Sequence, residues 1–200
     1  VFEGGMLKTS MHANQFASLL LRNNGGSFSI ETLPTEAQAA PLYGMLNLDV
    51  NGDGAEDIIC IGNHYTTRVE FGYDNALNGL VLVNDGSGKY KPVDGRACGF
   101  VVPGDGKSLI AFGDKEQIKL LAAENNGPLR AFKPAQSWKR VAAQAGETHA
   151  IIELKGGKKR KVELFPGRGY LSQSAALVQG GETVQRIVFY KGGQVSRSVN

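Results

Sequence analysis

Cysteine is scarce in this chain, with only Cys60 and Cys98 among 200 residues. Two thiols cannot build the disulfide framework that holds small secreted domains together. Cys60 lies within the apolar run Ile58–Ile61 and reads as a free buried thiol, a Cys60–Cys98 bridge being the alternative. Long apolar runs are missing too. None approaches the roughly 20 residues that cross a bilayer as a helix, which excludes a transmembrane helix. An excess of one charge is also lacking: the net charge is +3 and basic residues are dispersed, so no field of the kind that recruits nucleic acid is evident. An initiator Met and a basic-then-apolar leader are absent from the opening "VFEGGMLKTS", which looks like the start of a processed or excised piece. What remains is 42% hydrophobic and 20% charged, with 27 Gly against 7 Pro. That composition suits a soluble globular protein of one or two domains, long enough to bury a core.

The apolar segments are short, β-branched or leucine-rich, and separated by Gly/Asn/Asp clusters, the pattern of many short strands joined by tight turns. It predicts an all-β protein with strands near 16–22, 42–48, 57–62, 79–84, 108–112, 118–123, 149–154, 161–165, 174–178 and 185–190. "LLLRNNGGSF", "LVLVNDGSGKY" and "LLAAENNGPLRAF" each run from an apolar strand through Asn-Gly or Asp-Gly to an aromatic residue. Each therefore predicts a β-hairpin, since these dipeptides supply the positive φ of tight turns. Such repetition fits either propeller blades or ordinary hairpins of a sandwich. "HAIIELKGGKKRKVELF" is a further hairpin turning at Gly156-Gly157, and "RIVFYKGGQV" marks a last strand pair. The only helix-like stretch is Ser137–Ala145, where Trp138, Val141, Ala142 and Ala145 share a helical face; a loop fits almost as well. The composition shifts after it, and we place a domain boundary near 138, giving domains 1–137 and 138–200.

The chemistry concentrates in "LDVNGDGAEDIICIGN", residues 48–63. Calcium takes about six to eight hard oxygen ligands from carboxylates, amides and backbone carbonyls. Asp49, Asn51, Asp53 and Asp57 place oxygen side chains at positions 1, 3, 5 and 9 of one loop. The carbonyl of Ala55 falls at position 7, and Gly54 stands at position 6, where the chain turns sharply. An EF-hand closes with a bidentate Glu at position 12, here Cys60, and its flanks are helices, whereas these are strand-like. The alternatives are a calcium loop and a solvated acidic turn, Asp, Asn and Gly being ordinary turn residues. Paired carboxylates can also act as acid and base, but no nucleophile converges on these.

"DVNGDGAEDI", with its flanks "FSIETLPTEAQAAPLYGMLNL" and "NGLVLVNDGSGKYKPV", resembles the calcium-binding repeat of FG-GAP and VCBS-type propeller proteins, related to integrin α-chain blades. The likeness covers residues 15–133 and is specific in the one loop. It implies that Asp49, Asn51, Asp53 and Asp57 are side-chain ligands of Ca2+ and that Ala55 is a backbone ligand. The other hairpins have no equivalent acidic loop. "VELFPGRGYLSQSAALVQGGETVQRIVFYKGGQV" resembles the ASPIC/UnbV domain that often follows VCBS repeats, through Gly167, Gly169, Tyr170, Leu171, Ser172 and Gln173. Tyr190-Lys191-Gly192 stands where that family has a Trp-Pro-x-Gly-like turn. Together the resemblances imply a partial β-propeller of about two or three blades, a small β-sandwich or barrel-like domain after it, and an extracytoplasmic setting.

Other signals carry no reaction. "GDGKS" at 104–108 has Val101 where a phosphate-binding loop needs its first glycine. His12, His64 and His149 form no zinc motif, and no nucleophile elbow occurs. The basic cluster Lys155, Lys158, Lys159, Arg160 and Lys161 reads as a solvated hairpin tip or a dock for an anionic surface. The long connection from Asn63 to Gly79 carries Tyr65, Arg68, Phe71 and Tyr73, with Tyr43 nearby in sequence. Long loops on rigid β scaffolds carry recognition, and Tyr65, Arg68 and Tyr73 suit a protein or carbohydrate ligand; packing of the loop onto its own strands is the alternative. The expectation is a non-enzymatic, calcium-stabilised binding or adhesion module of a larger protein, or else a carbohydrate-recognition component of a glycan-degrading system.

Overall fold

The structure, a computed structural model, describes residues 11–68, 70, 72–113, 118–134, 139–165, 167, 169–181 and 183–200. The chain divides into two compact units, Val1–Leu33 and Pro34–Asn200. In the first, β1 (Leu19–Asn23) and β2 (Phe28–Thr32) pair antiparallel from Leu19↔Thr32 to Asn23↔Phe28. Their turn is closed by the Gly25 N–H donating to Asn23 Oδ1 at 2.9 Å. Arg22 and Glu31 form an ion pair at 2.6 Å, and Leu21, Phe28 and Ile30 are exposed.

The second unit opens with a 3-10 turn, Thr35–Gln38. β3 (Leu42–Leu48), β4 (Asp57–Gly62), β5 (Leu80–Asn84) and β6 (Tyr90–Asp94) follow as an antiparallel meander in that spatial order. A one-turn helix, α1 (Gly95–Cys98), is capped by Asp94, whose side chain accepts the Arg96 N–H at 2.7 Å. β7 (Gly106–Gly113), β8 (Ile118–Glu124) and β9 (Leu129–Phe132) form a three-stranded sheet. β10 (Lys139–Ala142) pairs with β13 (Leu177–Gly180). β11 (His149–Leu154), β12 (Lys159–Glu163), β14 (Val184–Lys191) and β15 (Gln194–Val199) form a sheet in the order β12-β11-β14-β15. The protein is all-β, and no sheet among the described residues closes on itself.

Alternation explains which faces are buried. In β3, Leu46 and Leu48 point inward while Met45 and Asn47 point out. Ile59 and Ile61 of β4 and Val81 of β5 join them, and Leu109, Ala111, Ile118, Leu120 and Ala122 from β7 and β8 complete one core. A Cβ on Gly44 would fall 2.7 Å from Ile61 Cγ1 and 2.8 Å from Leu109 Cβ, so glycine lets β3 approach β7. A second core gathers Ala150, Ile152 and Leu154 of β11 with Ile187 and Phe189 of β14 and Val178 of β13.

The three Asn-Gly or Asp-Gly repeats are hairpins as expected: β1-β2, β5-β6 and β8-β9. So are β11-β12 around Gly156-Gly157 and the last pair, β14-β15. The helix expected over Ser137–Ala145 is overturned. Lys139–Ala142 is strand β10, because β13 offers a pairing edge that a helix could not use, and β-branched Val141 packs against the second core. Ser137 and Trp138 lie outside the described residues, as does the point where the boundary near 138 was placed. The strands expected at 16–22, 161–165 and 174–178 lie at 19–23, 159–163 and 177–180. Cys60 and Cys98 are both free, Cys60 buried and Cys98 exposed, so the Cys60–Cys98 alternative fails. Burial pushes the Cys60 thiol up to about 12, which leaves it without thiolate reactivity at neutral pH.

Candidate functional site

The acidic turn connects β3 to β4. Asp49, just past the end of β3, is buried, with one carboxylate oxygen accepting the Gly52 N–H at 2.7 Å and the other the Gly54 N–H at 3.0 Å. Gly54 has φ +93°, a conformation that a side chain resists. Asn51 donates its amide to Asp53 at 2.8 Å and accepts the Asp53 N–H at 3.1 Å, while Asp53 accepts the Ala55 N–H at 2.7 Å. Asp57, the first residue of β4, is fully buried. Its Oδ2 accepts the Val50 N–H and its Oδ1 the Asn84 N–H, both at 2.8 Å, so one carboxylate fastens the turn to the end of β5. Burial raises its pKa above the ordinary aspartate value; the Asn84 and Val50 N–H groups oppose this, and the charges of Asp53 and Asp49 add to it.

The donor set of this turn consists only of hard oxygens: three carboxylates, the Asn51 amide and the Ala55 carbonyl. An ionised carboxylate offers about four lone-pair positions, and the backbone bonds of Asp49 and Asp57 use two on each, so these groups retain capacity for a cation. Oxygen donors of this kind are the type that hard cations take. Among the described residues, no group of three or more His, Cys, Asp or Glu side chains is placed to hold a metal ion.

Arg160 is the residue at this site that the sequence reading missed. Placed within the basic cluster of the β11-β12 hairpin, it turns inward. Its guanidinium donates to the Gly54 carbonyl at 3.2 Å and to the Gln179 carbonyl at 3.1 Å, and lies 3.8 Å from Glu56 Oε1. The neighbouring lysines behave differently: Lys159 pairs with Glu153 and Lys161 with Glu163, across exposed strand surface. The one available signal was an arginine among lysines, the residue whose planar fork bridges two acceptors.

Tyr65, Arg68 and Tyr73 sit on a loop braced at its base by Asn63. This asparagine is fully buried at φ 82°, donates to the carbonyls of Leu77 at 2.7 Å, Gly104 at 2.8 Å and Pro103 at 3.2 Å, and accepts the Leu77 N–H at 3.0 Å. His64 and Asp74 exchange backbone bonds across the loop. Tyr65 and Tyr73 stack at 4.9 Å, Tyr65 donates to the Pro103 carbonyl, and Tyr73 is 64% exposed. Arg68 is exposed, and Phe71 lies outside the described residues. Tyr43 bonds His64 Nδ1 at 3.1 Å and lies against Tyr170 at 5.1 Å. Lys107 of "GDGKS" pairs with buried Asp105 at 2.6 Å, donates to the Asn63 carbonyl and covers the Tyr43 ring at 3.7 Å. It is an internal tie between the start of β7, the Asn63 loop and Tyr43. The structure keeps the acidic turn and the Tyr65–Tyr73 pair as separate features. Comparison of the chain with protein-family models, with curated proteins and with solved structures returns no match.

Proposed function

We propose that this chain is a non-catalytic, calcium-stabilised binding or adhesion module of an extracytoplasmic protein, its antiparallel meander β3–β6 serving as a propeller-type blade within a larger assembly. The acidic turn carries this reading: hard oxygens at alternate positions join the first two strands of a four-stranded meander, with Asp49 and Asp57 buried. Three carboxylates in one short turn repel one another, and a divalent cation removes that repulsion. In this reading the cation's role is structural: it holds the β3–β4 turn closed. Calorimetric titration of the full chain with calcium chloride tests the reading. Saturable binding that disappears in Asp49→Asn/Asp53→Asn supports it, and no heat of binding at millimolar calcium overturns it.

A second reading, carbohydrate recognition, is favoured by the stacked Tyr65–Tyr73 pair, which presents an exposed aromatic face on a loop fixed by Asn63. Binding on a glycan array that is lost in Tyr73→Ala would favour it over a protein ligand.

A further inference from the structure

We propose that the first unit is a self-association surface: the β1-β2 hairpin packs its apolar face against the same face of a second copy of this chain. Residues opposite one another in an antiparallel pair share a face, as do residues two apart along a strand. The register Leu21↔Ile30 therefore puts Leu19, Leu21, Asn23, Phe28, Ile30 and Thr32 on one face, with Leu20, Arg22, Ser29 and Glu31 on the other. The hairpin is amphipathic, yet its apolar side is open: Leu21 is 58% exposed, Phe28 65% and Ile30 64%. A lone two-stranded hairpin is only marginally stable in water and needs further strands or a packed face to hold it. Among the described strands, β1 and β2 pair only with each other.

The face is matched to itself. It carries no charged side chain, so two copies stack without like-charge repulsion. Arg22 and Glu31 lie on the opposite face, where they neutralise each other at 2.6 Å. Asn23, the one amide on the apolar side, already turns its oxygen to the Gly25 N–H at 2.9 Å. When the two hairpins run in opposite directions, Ile30 lies over its own copy and Phe28 of each chain lies over Thr32 of the other. A large side chain then sits above a small one, as interdigitating sheet faces require. Leu21, Phe28 and Ile30 together offer roughly 350 Å² of apolar surface per copy, or about 700 Å² for the pair. That is less than the ~1,200–2,000 Å² of stable complexes, so the dimer is reversible. This association needs no cation.

The test is sedimentation velocity of the full chain across about 1–500 µM, with Ile30→Glu and Leu21→Glu on the apolar face and Ser29→Glu on the other. The expected result is a monomer–dimer equilibrium in the wild type, with association about a hundredfold weaker in Ile30→Glu and in Leu21→Glu, since each would bury a carboxylate. Ser29→Glu, beside Arg22 on the solvent side, should stay within about threefold of the wild type. A wild-type chain that is monomeric at about 500 µM overturns the proposal, as does a dimer that Ile30→Glu and Leu21→Glu leave intact. Equal weakening by Ser29→Glu overturns it too, because the apolar face would then not be the contact. Should Ile30→Glu fail to fold, Leu21→Glu carries the same comparison.

Discussion

Asp57 holds two backbone N–H groups from segments 34 positions apart, Val50 and Asn84, and has no exposed surface. Replacing it with Asn turns one of those oxygens into a donor facing a donor. Urea unfolding of Asp57→Asn should show a loss of about 1–3 kcal/mol, the usual cost of a buried group left without its partner. Tyr73 is the opposite case. Because it is largely exposed, Tyr73→Ala should change stability by no more than about 0.5 kcal/mol in the same measurement. The acidic turn was legible because Asp49, Asn51, Asp53 and Asp57 lie within one short stretch of sequence. Arg160 was not, because its partners Gly54 and Gln179 lie far from it along the chain and nothing local distinguishes it from the lysines around it beyond its type.

Hairpins were legible for a related reason. Asn-Gly, Asp-Gly and Gly-Gly impose the backbone reversal locally, so β1-β2, β5-β6, β8-β9 and β11-β12 could be read before any partner was known. β10 was misread because a four-residue segment with apolar residues at helical spacing has no inherent period, and its state depends on β13 some 35 positions later. Close approaches between strands were equally invisible. A Cβ on Gly62 would fall 2.0 Å from the Pro41 carbonyl oxygen, a backbone atom that cannot swing aside. Gly62→Ala should lower the thermal midpoint, at a cost of about 1–3 kcal/mol, while Gly156→Ala meets no neighbour and costs only its positive φ. The end of the β15 strand supplies a pH-dependent element. Glu147 is buried, which raises its pKa, but bonds from Arg197 at 2.9 and 3.0 Å and from the Gln144 N–H outweigh burial and hold it below the usual glutamate range. A depressed pKa in the folded state stabilises the fold above the unfolded value of 4.5, and that stabilisation is lost as pH falls through the folded value. Acid titration of stability should therefore fall off below about pH 4.5, and Glu147→Gln should flatten that limb while lowering stability at neutral pH.

At the level of the unit Pro34–Asn200, the acidic turn lies between two cores and touches strands that belong to both halves of the sequence. A cation bound there should stabilise the unit as a whole. Calcium at about a hundred times its dissociation constant corresponds to about 2.7 kcal/mol, which for a chain of this size raises the melting temperature by about 5–10 °C in scanning calorimetry. An unchanged midpoint at saturating calcium would oppose the structural role. The all-β class, the hairpins, the alternation that sorts buried from exposed positions and the acidic turn with Gly54 at φ +93° were all set by neighbouring residues, since backbone reversal, pleat and side-chain spacing operate over a few positions. Which hairpins share a sheet, the strand at 139–142, the inward course of Arg160 and the knot of Asn63, Lys107 and Tyr43 were decided only when distant segments met. Their physical cause is the satisfaction of buried polar groups and the close packing of strands, and both depend on neighbours in space that chain order does not reveal.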